Sequence, residues 1–503
     1  MVGAVWGTLL LGVGQLLLWI RVFIDHPLDQ DFTLWYAAAR IGLDDGWAHL
    51  YDLDRQQLLI RQLQHIQVIS PLSVYISPPP LAWLAVPFTL LPPVPAYLLW
   101  TGLSIAALWA GWRLSAPAVE RRWLYALPLV AWFPVFAGLV LGQPVAFVIF
   151  AIALAVWLAG RGRTFAGGLV LSLALLKPQL ALLVGPALLV GGELGLGLAW
   201  LTGSAILVAL SIGLVGIPGL ERGLELVRGV QVYPYNSYLT LGYLVDPLVR
   251  SGYLSPTTRL AGLNPLTLGL QAAVALATLA IAYRHRGHGP RALVPIGLIG
   301  SILVAPHLHQ DDLAVLVLAA WLLAGNNQGR LLRWWPLVVL AAGEAPQLIT
   351  PVPLLLSLLV WLLLLWKPAE RSRREPSALP SLLPPVEEPA ARPGHSALAG
   401  DEVHSGRRTT RRRGAVDHNR NTKLPSRAGL RAYSSSIWLN IRLSWMSYRT
   451  SIASGTVATL RAPRISAARV STMSSSTATW SRSGILAWSA RFSISSSLSS
   501  WSI

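Results

Sequence analysis

Twelve apolar runs of helix length follow one another through the first 366 residues of the chain. Their bounds are 2–24, 95–112, 123–141, 144–160, 165–176, 178–190, 194–217, 264–283, 292–304, 313–324, 331–343 and 346–366. Runs of this kind are long enough to enter or cross hydrocarbon, where non-helical backbone is tolerated only against protein or a water-filled cavity. The whole chain has 53% hydrophobic residues, 12% charged residues and a mean hydropathy of +0.53. This composition and the apolar runs together predict an all-α polytopic membrane protein.

The lengths of these runs limit how many can span the bilayer. Several have only 12 to 14 residues, which corresponds to about 18 to 21 Å of helix, whereas the hydrocarbon core is about 30 Å thick. Pro178 and Pro306 follow or divide apolar runs where a continuous helix would break. We therefore expect about 11–13 transmembrane or re-entrant helices around an outward-facing vestibule.

The charged residues of the connecting loops predict the orientation. Lys and Arg accumulate in alternate loops, and the positive-inside rule places those loops, with the N-terminus, in the cytoplasm. The outer face then carries two large loops, 25–79 and 218–263, and seven Asp lie between Asp25 and Asp54. Run 2–24 lacks a basic start and a small-residue cleavage site, so we interpret it as a retained first span.

The net charge of +18 is concentrated in the tail. Residues 1–374 hold 23 basic and 16 acidic residues, whereas residues 375–503 hold 17 and 6. We predict a transmembrane domain over 1–372 and a low-complexity, disordered cytoplasmic tail over 373–503, which an out-of-frame extension would also explain. The RRTTRRR run is interpreted as solvated, with no nucleic-acid partner. The chain has no cysteine, which excludes disulfides, thiolate metal sites and cysteine nucleophiles.

Asp31 stands directly before the segment FTLWYAAARIGL. A carboxylate held just outside the bilayer is suited to general-base chemistry. An Asp at this spacing also predicts a helix N-cap, and spacing alone favours the cap. The segment is amphipathic, so we expect it to lie along the interface with Phe32, Trp35 and Tyr36 at headgroup level.

Lys177 interrupts what would otherwise be one apolar stretch over 165–190. A lone ammonium at membrane depth is costly unless it snorkels to the surface or meets an anion, so it is a candidate functional residue. Snorkelling and phosphate binding are compatible here.

The segment APHLHQDDLAVL places two His and two Asp after a proline. His307 and His309 are candidates for hydrogen bonding to substrate or for proton transfer. A metal site is less favoured, because residues two apart do not share a helix face. Asp311 and Asp312 also suit a helix N-terminus for dipole reasons.

Polar and aromatic residues recur beside the runs, in YISPPP, GQP and YPYNSYLTLGY. They could line a sugar pocket, although interfacial aromatic belts contain the same residues and that interpretation is favoured. The candidate pocket residues are Tyr36, Tyr75, Gln143, Tyr235 and Asn236.

Several motifs in order resemble one known family. They are DFTLWYAAAR from Asp31, LYD at 50–52, YISPPP at 75–80, GQ at 142–143, LKP at 176–178 and PHLH at 306–309. Together they are similar to glycosyltransferase family 87, which holds polyprenol-phosphate-mannose-dependent mannosyltransferases of the GT-C superfamily. The resemblance covers roughly residues 1–370. Where the family pattern has GQxN this chain has GQPV, and Ala305 replaces the serine before the late proline.

The resemblance implies an inverting transfer of a sugar, mannose first, from a polyprenyl-phosphate carrier to a lipid or glycan acceptor. The active site would face the extracytoplasmic side of a bacterial plasma membrane, in cell-envelope biosynthesis. By this pattern Asp31 is the general base, Lys177 and Arg40 bind the donor phosphate, and His307 or His309 serves the acceptor or relays a proton. No cofactor and no metal are expected.

Two alternative functions remain open from the residues alone. A lipid-linked glycan transporter or flippase would use Lys177 and the proline-broken helices as a translocation path. A lipid-linked oligosaccharide ligase or polymerase would share the carrier but use another acceptor. A soluble nucleotide-sugar enzyme is not favoured, because the chain has no G-x-G-x-x-G or P-loop motif.

Overall fold

The computed structural model describes residues 2–25, 27–64, 73–251, 256–257, 259–324 and 330–367. The tail predictions for 373–503 lie outside these residues, as do small parts of the two large loops. Every regular element in the described ranges is helical. The α-helices are α1 Val2–Asp25, α2 Phe32–Asp44, α3 Leu53–Gln64, α4 Pro79–Ala85, α5 Pro93–Ser115, α6 Leu127–Ala131, α7 Phe133–Leu141, α8 Val145–Ala159, α9 Thr164–Leu171, α10 Val184–Val190, α11 Leu194–Val215, α12 Ile217–Gln231, α13 Gly242–Val245, α14 Pro247–Ser251, α15 Pro265–Arg284, α16 Pro290–Val304, α17 Val315–Ala324, α18 Arg330–Ala342, α19 Ala345–Leu348 and α20 Val352–Leu364. Short 3₁₀ turns occupy Trp47–His49, Val86–Leu90, Arg122–Ala126, Ser172–Leu176, Pro178–Leu180, Pro234–Ser237 and Asp311–Ala314.

Four of the described helices are long and apolar enough to cross a membrane. They are Val5–Asp25 within α1, and α5, α11 and α15. A fifth crossing is possible if Arg122–Ala131 and Phe133–Leu141, which meet at 58°, form one broken span. These helices confirm the predicted all-α polytopic membrane protein.

The remaining apolar runs form helices of 10–17 residues or shorter pieces, among them α8 and α16. Their lengths confirm that many of the twelve runs are too short to cross on their own. The predicted breaks are also confirmed. Helical structure is interrupted at Lys177, where φ is −143° and ψ is 78°, and again between α16 and the turn that begins at Asp311.

The most completely buried helices are short ones, whereas the four long helices are buried over less than half of their apolar stretches. In α16 every residue from Leu293 to Val304 is buried, and α17 is buried over most of its length. By contrast, no residue in the 18-residue apolar stretch of α1 is buried, and only 28% of the corresponding stretch of α11 is buried. Apolar side chains exposed on the long helices are suited to contact with lipid.

The aromatic side chains of α2 are packed against protein rather than exposed to lipid headgroups, so this part of the prediction was wrong. Phe32, Trp35 and Tyr36 are at most 7% exposed, and the ring of Phe32 lies 5.5 Å from that of Trp100 in α5. Both faces of α2 are buried except at its C-terminal end. The helix therefore belongs to the core, and it brings its first residues to the places where α7 and α16 end.

Candidate active site

Asp31 immediately precedes α2 at the N-cap position, but its side chain does not cap the helix. The backbone carbonyl of Asp31 accepts a hydrogen bond from Leu34 N at 2.9 Å, whereas the carboxylate makes no capping bond. Instead, Gln143 Nε2 donates to Asp31 Oδ2 at 2.5 Å. The N-cap interpretation favoured by spacing was therefore wrong for this side chain, which is directed towards the loop between α7 and α8.

That loop is shaped by Gly142. Its φ of +66° lies in the left-handed region, and a Cβ atom there would come within 2.7 Å of Phe32 Cβ. Trp35 Nε1 donates to the Gly142 carbonyl at 3.0 Å, and Gln143 N donates to the Gly138 carbonyl at 2.8 Å. The GQ pair thus places the Gln143 amide beside Asp31. Gln143 Oε1 is buried and has no hydrogen-bond partner among the described residues.

Lys177 is buried and held by two carboxylates. Its Nζ lies 2.5 Å from Asp311 Oδ2 and 2.5 Å from Asp312 Oδ1. Burial alone lowers the pKa of the ammonium, but the charges of Asp311 and Asp312 outweigh burial and raise that pKa above its ordinary value. Lys177 is therefore charged and compensated within the protein, rather than snorkelling.

Sequence analysis missed this role for Asp311 and Asp312. They are 1% and 0% exposed, so a dipole interaction at an open helix end does not describe them. One signal was available, because a buried Lys requires a buried acid and these two Asp interrupt an apolar region. The sequence separation of 134 residues gives no indication of the pairing.

Two imidazoles lie beside this group, in the segment between α16 and the turn at Asp311. The Nε2 atom of His309 is 2.9 Å from Asn236 Oδ1, and its ring lies 4.9 Å from Tyr235 and 4.6 Å from His307. His309 N also donates to Asp312 Oδ2 at 2.9 Å, which connects the imidazoles to the Lys177 group.

Burial keeps both imidazoles neutral at pH 7. It lowers the pKa of His309 to about 4, with the nearby Asp311 and Lys177 acting in opposite directions. The pKa of His307 is also well below its ordinary value, because of burial and then the charges of His309 and Lys177. Neutral imidazoles can accept a proton when an anion arrives beside them.

Asp31 has the opposite perturbation. Burial, followed by the negative charge of Asp311, raises its pKa to about 6, although Lys177 and the Gln143 hydrogen bond act to lower it. At neutral pH the carboxylate is mostly ionised yet basic enough to take up a proton. Asp31, Gln143, Lys177, His307 and His309 therefore form one electrostatically coupled cluster.

The structure does not bring every predicted residue to this cluster. Arg40 Nη2 pairs with Asp44 Oδ2 at 2.8 Å on an exposed part of α2. The hydroxyl of Tyr36 donates to the Leu91 carbonyl at 3.0 Å, and that of Tyr75 to the Pro78 carbonyl at 2.7 Å. Tyr235 and Asn236, by contrast, both contact His309. In the described part of the chain, no three His, Asp or Glu side chains are grouped as metal ligands.

A sequence model described as glycosyltransferase family 87 matches residues 75–306. This match confirms the family predicted from the motifs. The matched region contains Gln143 and Lys177 but ends before His307 and begins after Asp31. Neither a curated protein nor a solved structure matches the chain significantly.

Proposed function

Because the chain belongs to glycosyltransferase family 87 through residues 75–306, we propose that it transfers a sugar from a polyprenyl-phosphate carrier to a hydroxyl of a lipid or glycan acceptor. Mannose is the first sugar to test. The reaction takes place at the cluster around Asp31, which faces the extracytoplasmic side of the membrane. The observation that carries this proposal is a carboxylate with a pKa of about 6 that accepts a hydrogen bond from an amide and forms no ion pair with any of the described residues.

Asp31 acts as the general base. It removes the proton from the acceptor hydroxyl while that oxygen attacks the anomeric carbon. The bond from the anomeric carbon to the phosphate oxygen breaks, and its electron pair leaves with the polyprenyl phosphate. The Gln143 amide orients Asp31, and its free carbonyl oxygen is placed to accept a hydrogen bond from a sugar hydroxyl.

The arrangement of the acids supports inversion at the anomeric carbon. A retaining reaction through a glycosyl–enzyme intermediate requires a second carboxylate as nucleophile. Asp311 and Asp312 are instead bound to Lys177 at 2.5 Å each. Asp31 alone is free of a cation partner in the cluster, which suits a single displacement.

The leaving phosphate gains a negative charge and needs stabilisation. Lys177 supplies a positive charge at the cluster, although two carboxylates share it. The imidazoles of His307 and His309 can supply the rest, because an approaching phosphate raises their affinity for a proton. Anion binding would therefore be coupled to proton uptake by this pair.

The donor can be identified with membranes that contain the overexpressed chain. They are incubated with labelled polyprenyl-phosphate mannose, with other polyprenyl-phosphate sugars, and with nucleotide-linked mannose in the absence of carrier. We expect a labelled lipid or glycan product with a carrier-linked donor and no product in matched membranes that carry Asp31→Asn. Transfer directly from the nucleotide-linked sugar would contradict the proposal.

The same assay separates the alternatives. A ligase or polymerase would move a preassembled oligosaccharide, and the mass of the product would show more than one sugar added in a step. A transporter would move the labelled carrier across the bilayer without forming a new glycosidic bond. Family membership and the basic, cation-free Asp31 favour transfer of a single sugar.

A further inference from the structure

Three arginines meet at the opposite end of the helices that carry the candidate active site. α5 contacts Phe32 near its N-terminus through Tyr97, at 5.8 Å between ring centroids. Its 23 residues place Ser115 about 34 Å from Pro93. α16 likewise ends beside His307 but begins next to Arg291. The C-terminus of α5 and the N-terminus of α16 therefore lie on the face remote from Asp31.

The arginine cluster consists of Arg113, Arg122 and Arg291. Arg291 Nη2 donates to the Ser115 carbonyl at 2.8 Å. The Nη2 of Arg122 donates to the carbonyls of Arg113 and, at 3.4 Å, Trp112. The guanidinium carbons of Arg122 and Arg113 lie 5.4 and 5.9 Å from the Trp112 ring centroid.

The carbonyls at the end of α5 account for only part of this cluster. Cationic side chains commonly bind the last carbonyls of a helix, and capping is the simplest explanation for one arginine. Three like charges in one place repel each other, and Arg122 acts electrostatically on both Arg113 and Arg291. In the described residues none of the three makes an ion pair with an acid, neighbouring Glu120 included.

Buried donors at the cluster also have no acceptor. They are Arg122 Nε, Trp112 Nε1 and Ser115 Oγ, none of which has a hydrogen-bond partner within the described ranges. A buried polar group without a partner costs about 1–3 kcal/mol. These unmet donors add to the positive charge of the cluster, and a bound anion would compensate that charge, whereas an apolar side chain would not.

We propose that this cluster binds the phosphate of an anionic membrane lipid, whose headgroup carries no cation of its own, in the leaflet opposite the candidate active site. Arginine guanidinium groups match phosphate oxygens in a bidentate geometry. A lipid rather than free phosphate is favoured by the apolar side chains around the cluster. Trp109, Val119 and Trp123 are 59%, 50% and 44% exposed, as expected where acyl chains begin.

The test compares the full-length protein in nanodiscs of phosphatidylcholine with and without phosphatidylglycerol. We expect phosphatidylglycerol to raise the melting temperature by at least about 3 °C, because a ligand that binds only the folded state stabilises it. R122Q/R291Q should lose most of this increase. The matched control is R284Q, since Arg284 is the last residue of α15, stacks on Trp366 at 4.6 Å and, among the described residues, forms no hydrogen bond with Arg113, Arg122 or Arg291.

Three results would overturn the proposal. R284Q could lose the increase as fully as the double variant, which would indicate a general effect of positive charge. Inorganic phosphate in phosphatidylcholine nanodiscs could give the same increase, which would identify a soluble anion as the ligand. The double variant could keep the full increase. If that variant does not fold, R122K serves instead, because Lys keeps the positive charge but lacks the bidentate geometry of a guanidinium group. We expect R122K to lose part of the increase in melting temperature.

Discussion

The two ends of the helical core differ in how their cationic side chains are compensated. At one end Lys177 is neutralised by Asp311 and Asp312, the imidazoles are neutral, and one carboxylate remains without a cation. At the other end three arginines meet without an acid among the described residues. A base must be kept away from cations to remain basic, whereas an anion site requires cations that are left uncompensated. The first arrangement suits the proposed proton transfer, and the second suits the proposed anion binding.

The largest effect on stability should come from removing Lys177, the cation that two buried carboxylates compensate. Lys177→Met leaves Asp311 and Asp312 buried without a partner, and breaking a buried ion pair in this way costs about 3–5 kcal/mol. Thermal unfolding in detergent should show a much lower melting temperature. The triple variant K177M/D311N/D312N should regain most of the stability, because it leaves no unpaired charge. A melting temperature for K177M equal to that of the native protein would show that the group is not buried as described.

The pH dependence of sugar transfer tests the proposed role of Asp31 as general base. Asp31 must be ionised to accept a proton, so kcat/KM should fall about tenfold per pH unit below about pH 6. Gln143→Met removes the hydrogen bond that favours the ionised form, and the acid limb should then move to higher pH. A profile that is flat from pH 5 to 7 would exclude Asp31 as the base.

Asp31→Asn should cost activity but increase stability. The folded-state pKa of Asp31 is raised above its ordinary 3.8, so its ionised form disfavours the fold once the pH exceeds that range. At pH 7 we expect a melting temperature higher by the order of 3 °C. The difference from the native protein should shrink as the pH falls towards 4. A lower melting temperature for the variant at pH 7 would contradict the electrostatic description of this end.

A smaller effect is expected from changing Asn236, which hydrogen-bonds to the imidazole of His309. Asn236→Ala removes the acceptor 2.9 Å from His309 Nε2, and the loss of one hydrogen bond predicts a decrease in kcat/KM of about tenfold or less. Asn264→Ala is the matched control. Asn264 caps α15 by accepting a 2.7 Å hydrogen bond from Thr267 N, so its replacement removes an Asn side chain that does not bond to His309. If both variants lose the same activity, the effect of Asn236 is structural.

The smallest effect should come from Arg40→Gln. Arg40 forms an exposed ion pair with Asp44, and such pairs contribute about 0–1 kcal/mol. We expect transfer activity within about twofold of the native enzyme. A loss of tenfold or more would instead place Arg40 at the donor phosphate, as the family resemblance predicts, and would extend the active region along α2.

The membrane class, the family and the places where helices break could be predicted from the amino-acid sequence. These properties depend on local composition and on short motifs, such as the LKP that interrupts the apolar stretch at Lys177. The pairing of Lys177 with Asp311 and of Gln143 with Asp31 depends on how the chain folds, because the partners are 134 and 112 residues apart. The tertiary structure also moved Phe32, Trp35 and Tyr36 from the predicted interface into the core. Lipid and protein interior are both apolar, so hydropathy identifies which side chains avoid water but does not identify which of the two surrounds them.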